Sequence, residues 1–547
     1  MTRARKVSVI LALFLMVATV LSACSTKTDT TKPSDKGTTP VVAKKPAVGG
    51  ELNLRLSKDP DNFNPILSST AYGSAIYGQV YSGLFEFNEK FEPTPNLATK
   101  WTASPDGLIW TIELRKDVKF HNGDPFTADD VVFTLGAIMD KDYTGPRDLS
   151  ALKSITKKDD YTVVIELKEP YAPILTDINY GILDSKQFKG TAIKDMEKSP
   201  VTMQPNGTGP YKFVEYKRSQ YVLLKRNENW FRSKDWNGAP FIDTLRFKVI
   251  PDDTTAVAAL ENGEIDLDTP LPGEVGRLQK DAANKLVSIN YDRNGFGYMQ
   301  FNVTSPILSD KLVRQALTYG LDRQSIITGV MDGRAVIPVG PIPPVSWAYD
   351  SSIKPYAFDQ AKAKALLDQA GWKLGANGIR EKDGKPMKLS FYGSSGSSLI
   401  EGLAQIAKKN WKDIGVDLDV QLMDFNALMD NFVKPGKFDI SFSGMSLGLD
   451  PDQFDLWHST QVKGFNRGRW ANPQADKLLV DGRKETDQAK RKAIYADFQK
   501  VFQDDCPAIL VYSNKYTDMV STKVKGGVVN FPGSGASFIY RWWVNEQ

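Results

Sequence analysis

The chain reads as an α/β protein. Strictly alternating strands recur along its length, capped amphipathic helices lie between them, and no internal repeat organises either into a solenoid or bundle. Strands and helices mixed over the whole sequence describe α/β lobes rather than an all-helical or all-β domain.

Taken in order, Trp110, Ile112 and Leu114 alternate with Thr111, Glu113 and Arg115, and Val163, Ile165 and Leu167 with Thr162, Val164 and Glu166. Leu245, Phe247 and Val249 repeat the pattern around Arg246 and Lys248. Asp253-Thr254-Thr255 is expected to cap a helix over Ala256–Glu261, Gly263 to end it, and Glu264–Leu267 to form a strand. Ser309 is placed to cap Asp310–Tyr319, with Leu312, Val313, Ala316 and Leu317 on one face. Asp359 precedes a helix over Ala361–Ala370, closed by Gly371. A long helix over Ala489–Gln503 leads through Pro507 into a strand at Ile509–Tyr512.

The N-terminus is of a different kind. Arg3, Arg5 and Lys6 precede an apolar run from Val9 to Val17 that continues in small residues to Leu21, and Leu21-Ser22-Ala23-Cys24 closes it. A stretch this short, with these flanks, is an export signal and not a membrane span. Its ending resembles the lipobox of bacterial lipoproteins, in which cleavage before the cysteine frees a thiol that carries a diacylglycerol. Cys24 is the expected lipidation site, and buried acyl chains contribute about 0.8 kcal/mol per CH₂. An ordinary signal peptide with an incidental cysteine is the plainer alternative. Ser25 to Gly49 is rich in Thr, Lys, Pro, Ser and Asp and cannot bury enough surface to offset its ordering entropy. It is expected to be a tether reaching roughly 25–30 Å, with structure beginning near Glu51.

The remainder is too long for a single core, which implies two or three packed units. The net charge of +4 falls to about +1 once the three signal cations are removed, and acids and bases are interspersed, so nothing points to nucleic acid. Cys506 is the only other cysteine; it is expected to be a structural, half-buried thiol. The two histidines, His121 and His458, sit in no metal-ligand spacing, and no HExxH, Walker A or GxGxxG run occurs. No cofactor and no metal are expected.

Longer motifs carry a family resemblance. Trp101–Leu135 reads WTASPDGLIWTIELRKDVKFHNGDPFTADDVVFTL; NGTGPY begins at Asn206, RNENWF at Arg226 and ALENGEIDLD at Ala259. FNVTSPILSDKLVRQALTYGLDRQSI begins at Phe301, FDQAKAKALLDQAGW at Phe358, FDISFSGMSLGLDPD at Phe438 and NPQAD at Asn472. In this order, from about residue 50 to the C-terminus, they resemble the peptide/nickel class of extracytoplasmic solute-binding proteins of ABC importers, solute-binding protein family 5. The resemblance implies a bilobal periplasmic-binding-protein-like α/β fold with an extra inserted domain and a ligand cleft between the lobes. It implies lobe 1 from residues 48–87, 201–297 and 505–547, the insert from 88–200 and lobe 2 from 298–504, after a signal (1–23) and the lipidated tether (24–49).

The function implied is capture of an oligopeptide or similar small solute and delivery to two permease transmembrane subunits, by a monomer exported and lipid-anchored at the outer face of the cell membrane or on the periplasmic side. Closure would bury the ligand, held by main-chain hydrogen bonds as an added strand. Residue by residue, Ser69, Thr70, Ala71 and Tyr72 align with the first-lobe loop that meets the ligand. Gly444, Met445, Ser446 and Leu447 align with the second-lobe loop that carries a stacking tryptophan and an amine-binding aspartate in peptide binders. Met445 stands in place of the tryptophan, and Leu447 or Gly448 in place of the aspartate. Asp450 or Asp452 is the available substitute, the plainer reading being an Asp-Pro turn. Asn514 aligns with a tyrosine near the ligand, with Asn466 and Tyr512 as further candidates; for each, loop structure or lobe packing is the alternative. Trp457 and His458 read as local packing. The same fold accommodates a non-peptide solute (an oligosaccharide, an opine or a chelated metal) or a ligand sensor.

An enzyme reading competes at one place. Gly444-Met445-Ser446-Leu447-Gly448 fits GxSxG, the nucleophile elbow of α/β-hydrolases, after a strand-like run. The elbow needs a helix directly after the serine, whereas Gly448 and Asp450-Pro451 predict a loop, and His458 is too near in sequence to supply a separate triad loop. The chain is expected not to be an enzyme.

Overall fold

A computed structural model describes residues 46–282, 285–526 and 537–546. Cys24 and the signal lie outside the described residues. A mixed sheet of twelve strands runs through the molecule. Glu51–Leu56 turns Leu52, Leu54 and Leu56 into the interior and pairs in parallel with Thr244–Val249, and Tyr221–Arg226 and Tyr211–Lys217 extend that edge antiparallel. Further along, Gly295–Phe301 lies antiparallel between Ile440–Ser446 and Ala508–Ser521. Lys388–Ser394 and Asp417–Met423 complete this edge as parallel strands.

The interior divides into two lobes. The first core gathers Leu54, Phe63, Ile76, Phe247 and Trp542, and it also takes in Trp110, Ile112 and Val131. These last come from a four-stranded antiparallel sheet (Ala98–Ala103, Ile109–Leu114, Thr162–Leu167, Leu152–Asp159) and the helix Ala128–Met139, started by a capping box between Thr127 and Asp130. In the second lobe Met299 and Phe301 face a core with Leu317, Phe391 and Trp411. On the other face of the same strand, Phe296 and Tyr298 meet Trp457, Trp470, Tyr495 and Phe498. A strand covered on both faces reads as a continuous apolar run, as GFGYMQF does.

The lobes are joined by two paired chain crossings. Leu286–Asp292 passes through Arg293-Asn294 into Gly295–Phe301, and Ala508–Ser521 spans both lobes as one strand, pairing with the first of these through residues 515–521 and with the second through 508–512. At the crossing the Arg293 N–H donates to Asn514 O (2.9 Å) and Ser513 Oγ to Gly295 O (2.8 Å). Tyr512 packs against Gly297, where a Cβ would come within 2.3 Å of its ring.

Local expectations hold where the signal is local. Asp310 and Asp359 cap the helices Lys311–Tyr319 and Gln360–Gln369, accepting from Leu312 N and Lys362 N at 2.9 Å; the cap of the first is thus Asp310 and not Ser309. The cap of Asp253–Glu261 is Asp252, whose carboxylate takes Thr255 N. The strand expected over Glu264–Leu267 shrinks to Leu267–Asp268, because the amides of Glu264 and Ile265 both go to Ala259 O in the turn that ends the helix. The long C-terminal helix runs over Gln488–Asp505 and is closed by Cys506 in left-handed geometry (φ 51°). The strand after it continues nine residues past Tyr512, to Ser521. Order also begins before Glu51: Pro46–Ala47 pairs antiparallel with Asn545–Glu546, so residues 46–49 belong to the fold and not to the tether.

Candidate functional site

In the first lobe, one carboxylate organises the loop before the helix Ala71–Val80. Asp61 accepts from Ser68 Oγ (2.7 Å), Ser69 N (2.9 Å) and Thr70 Oγ1 (2.7 Å). Burial pushes this carboxyl up, and the hydroxyl and amide donors outweigh it and hold it below its usual range. Thr70 in turn caps the helix by accepting from Gly73 N. From below, Arg147 donates to Pro65 O and Ser68 O, and Tyr143 OH to Ile66 O. The outcome is a fixed turn on which Ser69 and Ala71 are exposed and Thr70 and Tyr72 half-buried, the Tyr72 hydroxyl accepting from Ser57 Oγ (3.1 Å).

In the second lobe, Gly444, Met445 and Ser446 end the strand Ile440–Ser446 opposite Gly297, Phe296 and Gly295. Asn294 holds the continuation: its carbonyl accepts from Leu447 N (2.9 Å) and its amide donates to Leu447 O and Gly448 O. Met445 and Leu447 pack inward against the aromatic core. Gly444, Ser446 and Gly448 are exposed.

Both candidate counter-charges are already engaged. Asp450 takes two bonds from Arg491 (2.7 and 2.6 Å), and Asp452 two from Arg483 (2.8 and 2.5 Å). The first pair is fork-to-fork, and in the second both nitrogens meet one oxygen, Asp452 Oδ2, while Oδ1 accepts from Phe454 N. Each aspartate thus has its guanidinium counter-charge, and none is left unmet for an ammonium group. Asn466 is also committed: it is 2% exposed, its amide donates to Trp457 O, His458 O and Trp470 O, and its oxygen accepts from Trp470 N. It holds a turn. Asn514 stands on the crossing strand opposite Ala335, its side-chain oxygen buried with no donor among the described residues.

A cavity of about 580 Å³ lies in the first lobe. Ala71, Ser74 and Gln79 of the helix line it, with Trp230 and Tyr540 on its aromatic side, and the second lobe reaches it through Leu449. Its charged groups satisfy one another: Glu86 accepts from Arg232 Nη1 (2.9 Å) and from Tyr540 OH (2.7 Å). A smaller cavity of about 160 Å³ lies between Ala172, Leu175 and Thr176 on one side and Trp347, Asp450 and Arg491 on the other.

At this second contact stands an acid that sequence reasoning missed. Asp177 accepts from Tyr171 OH (2.6 Å) and Thr176 Oγ1 (3.3 Å) and has no cation partner among the described residues. Burial, with Asp450 and Asp452 facing it, pushes its carboxyl up to about 6. Beside it, Ala172 N donates to Arg483 O (2.7 Å), and the Arg483 guanidinium lies over the Tyr171 ring at 5.5 Å. Nothing in the local sequence marks Asp177, a single acid in a four-residue helix.

The remaining reactive side chains have structural settings. His121 is half-buried, bonded to Gly209 O (3.0 Å), and desolvation of its ring pushes it down to about 4. His458 stacks on Phe454 with ring centroids 4.1 Å apart, and Trp457 is buried in the aromatic core. Cys506 is more deeply buried than expected, and that burial pushes its thiol up to about 11. Ser446 is followed by extended chain, and the next helix is the short Phe454–Trp457, so the strand–turn–helix of a nucleophile elbow is absent here. No helix among the described residues is long and apolar enough to cross a membrane.

Two α/β lobes joined by paired crossing strands, with a second-lobe loop reaching a cavity of the first, define the bilobal solute-binding class. The chain belongs to the bacterial extracellular solute-binding proteins of family 5, whose description "family 5 Middle" matches residues 92–466. It is 32% identical over 555 residues to the oligopeptide-binding protein AppA of Bacillus subtilis, covering the whole of both chains. It is 29% identical over 500 residues to the dipeptide-binding protein of Escherichia coli, covering 86% of this chain and 90% of that one. The solved structure of Bacillus subtilis AppA in complex with a nonapeptide superposes with a TM-score of 0.70, over 92% of this chain and 100% of that one.

Proposed function

We propose that this protein captures oligopeptides outside the cell and delivers them to the membrane subunits of an ABC importer, without catalysing a reaction. The carrying observation is the likeness, over the whole chain, to a protein named for oligopeptide binding, in a two-lobed fold whose first lobe holds a cavity of about 580 Å³ that Leu449 of the second lobe reaches. Its volume lies within the roughly 300–1,000 Å³ of small-ligand sites. Because Glu86 and Arg232 neutralise each other, the walls offer apolar and main-chain contact and little fixed charge. Such a site tolerates varied side chains and draws its affinity from the ligand backbone.

In this reading Ser69, Thr70, Ala71 and Tyr72 from the first lobe and Gly444, Met445, Ser446 and Leu447 from the second bracket the ligand, with Asn514 at the crossing. Asp450 serves the architecture of the second-lobe loop through Arg491. The insert is residues 88–200, the mature chain begins at a lipidated Cys24, and the protein works as a monomer held at the outer face of the membrane. Mass spectrometry of ligand released from gently purified protein tests the reading. Peptides of mixed sequence are the expected result. A single non-peptide solute, or no peptide retained from a mixed pool, overturns the peptide assignment and leaves the solute-binding role.

A further inference from the structure

The arginines that bond to residues 446–452 of the second lobe divide into two kinds. Arg483 and Arg491 each hold an aspartate. Arg293, on the chain crossing, holds only hydroxyls: Nη1 donates to Tyr516 OH (3.1 Å) and Nη2 to Ser446 Oγ. Among the described residues no carboxylate lies within ion-pairing distance of it. A guanidinium has five N–H donors, and these two bonds leave three without a partner among the described residues.

Its surroundings are arranged by strand alternation. Along Ala508–Ser521 the side chains of Tyr512, Asn514 and Tyr516 share one face, and Arg293 lies over the Tyr516 ring at 5.9 Å. Asn514 contributes to that face a buried side-chain oxygen with no donor among the described residues. The acids nearby are otherwise disposed. Asp292 lies across from Lys515 on the opposite face of the ladder, and Asp518, deeper along the same face, takes the hydroxyls of Thr269 (2.6 Å) and Tyr291 (3.2 Å). Ser446 is exposed at the base of the loop proposed to meet the ligand. The crossing thus offers a cation with spare donors beside an acceptor lacking a donor, a pairing that matches a carboxylate next to an amide N–H.

We infer that Arg293, with Ser446, Tyr516 and Asn514, is the subsite that receives a carboxylate of the bound ligand at the floor of the interlobe cleft. The inference rests on the proposed peptide capture. It makes the recognised charge an anion held at the hinge, where each crossing strand contributes a contact and closure is sensed directly.

The test compares two pools of short peptides of identical sequences, one with free carboxylates and one methyl-esterified, which neutralises terminal and side-chain carboxylates alike. Each pool is offered to the full-length protein, and retained peptide is quantified by mass spectrometry. Wild-type protein is expected to favour the free pool about 10- to 100-fold, the range for a hydrogen bond to a charged group. Arg293→Gln should bring the ratio near one, and Arg293→Lys should keep part of it. The ratio is read within each protein, so partial unfolding does not mimic the effect. Should Arg293→Gln fail to fold, Ser446→Asp supplies an internal carboxylate to the same guanidinium and should also abolish the preference. Equal retention of both pools by wild-type protein, or an undiminished preference in Arg293→Gln or Ser446→Asp, overturns the inference while peptide capture stands. Retention of neither pool overturns both.

Discussion

Two of the places where the lobes of this protein meet are built on opposite principles. At the crossing, two strands pass between lobes and are laddered together by backbone hydrogen bonds, and the charge without a carboxylate partner among the described residues is the cation Arg293. At the second contact the chain does not cross: Tyr171, Ala172 and Asp177 touch Arg483, Asp450 and Asp452 through a few bonds, with three carboxylates facing two guanidiniums. The first is covalent and permanent. The second can part without unfolding either lobe, and its spare acid sets a cost on keeping it together. Bilobal binding proteins need both, since ligands can shift only an equilibrium between arrangements that both exist.

Removing Arg491 should have the largest effect. It is 6% exposed in its side chain and holds Asp450 in a two-pronged pair, and breaking one partner of such a pair costs about 3–5 kcal/mol. Arg491→Ala should lower the melting temperature steeply, by calorimetry, while leaving the crossing intact.

The spare acid gives a pH dependence of known sign. The folded-state value for Asp177 is about 6, against 3.8 for an ordinary aspartate. The folded state therefore binds the proton more tightly than the unfolded chain. The associated stability is fully present below about pH 4 and is lost as pH rises through about 6. Allowing for partial exposure, the change is about 1–3 kcal/mol. Asp177→Asn should raise the melting temperature at pH 8 and flatten its dependence between pH 4 and 6; an unchanged slope would remove Asp177 as its source.

The crossing is tested at Gly297, where a methyl group meets the Tyr512 ring at 2.3 Å. Gly297→Ala should cost about 1–3 kcal/mol by overpacking, with pH dependence unaltered. The smallest effect belongs to the exposed pair Lys484–Glu169, 3.7 Å apart. Lys484→Ala should change stability by less than about 0.5 kcal/mol, and a larger loss in urea denaturation would mean that the second contact is less easily parted than its chemistry implies.

The same contrast explains what the sequence discloses. Helix caps at Asp310 and Asp359 are local, because donor and acceptor lie within three residues, and so are the apolar alternations of Ile109–Leu114 and Thr162–Leu167. The second half of Ala508–Ser521 is not legible: Ser513 to Asp518 is polar, and it becomes a strand because Ala335–Val336 and Leu286–Asp292 lie beside it. The site behaves likewise. The two loops proposed to meet the ligand can be placed through long motifs, but the occupation of Asp450 and Asp452 depends on arginines 41 and 31 residues away. Arg293 and Asp177 acquire meaning only from neighbours that the fold supplies.

The antiparallel pair Pro46–Ala47 with Asn545–Glu546 has a mechanical consequence. Whatever force or attachment enters through the preceding residues is delivered to the first lobe, whose core includes Trp542, and is clamped there by the far end of the chain. A reporter fixed to the C-terminus would therefore share the frame of the first lobe, and one on the second lobe would register any movement between the two.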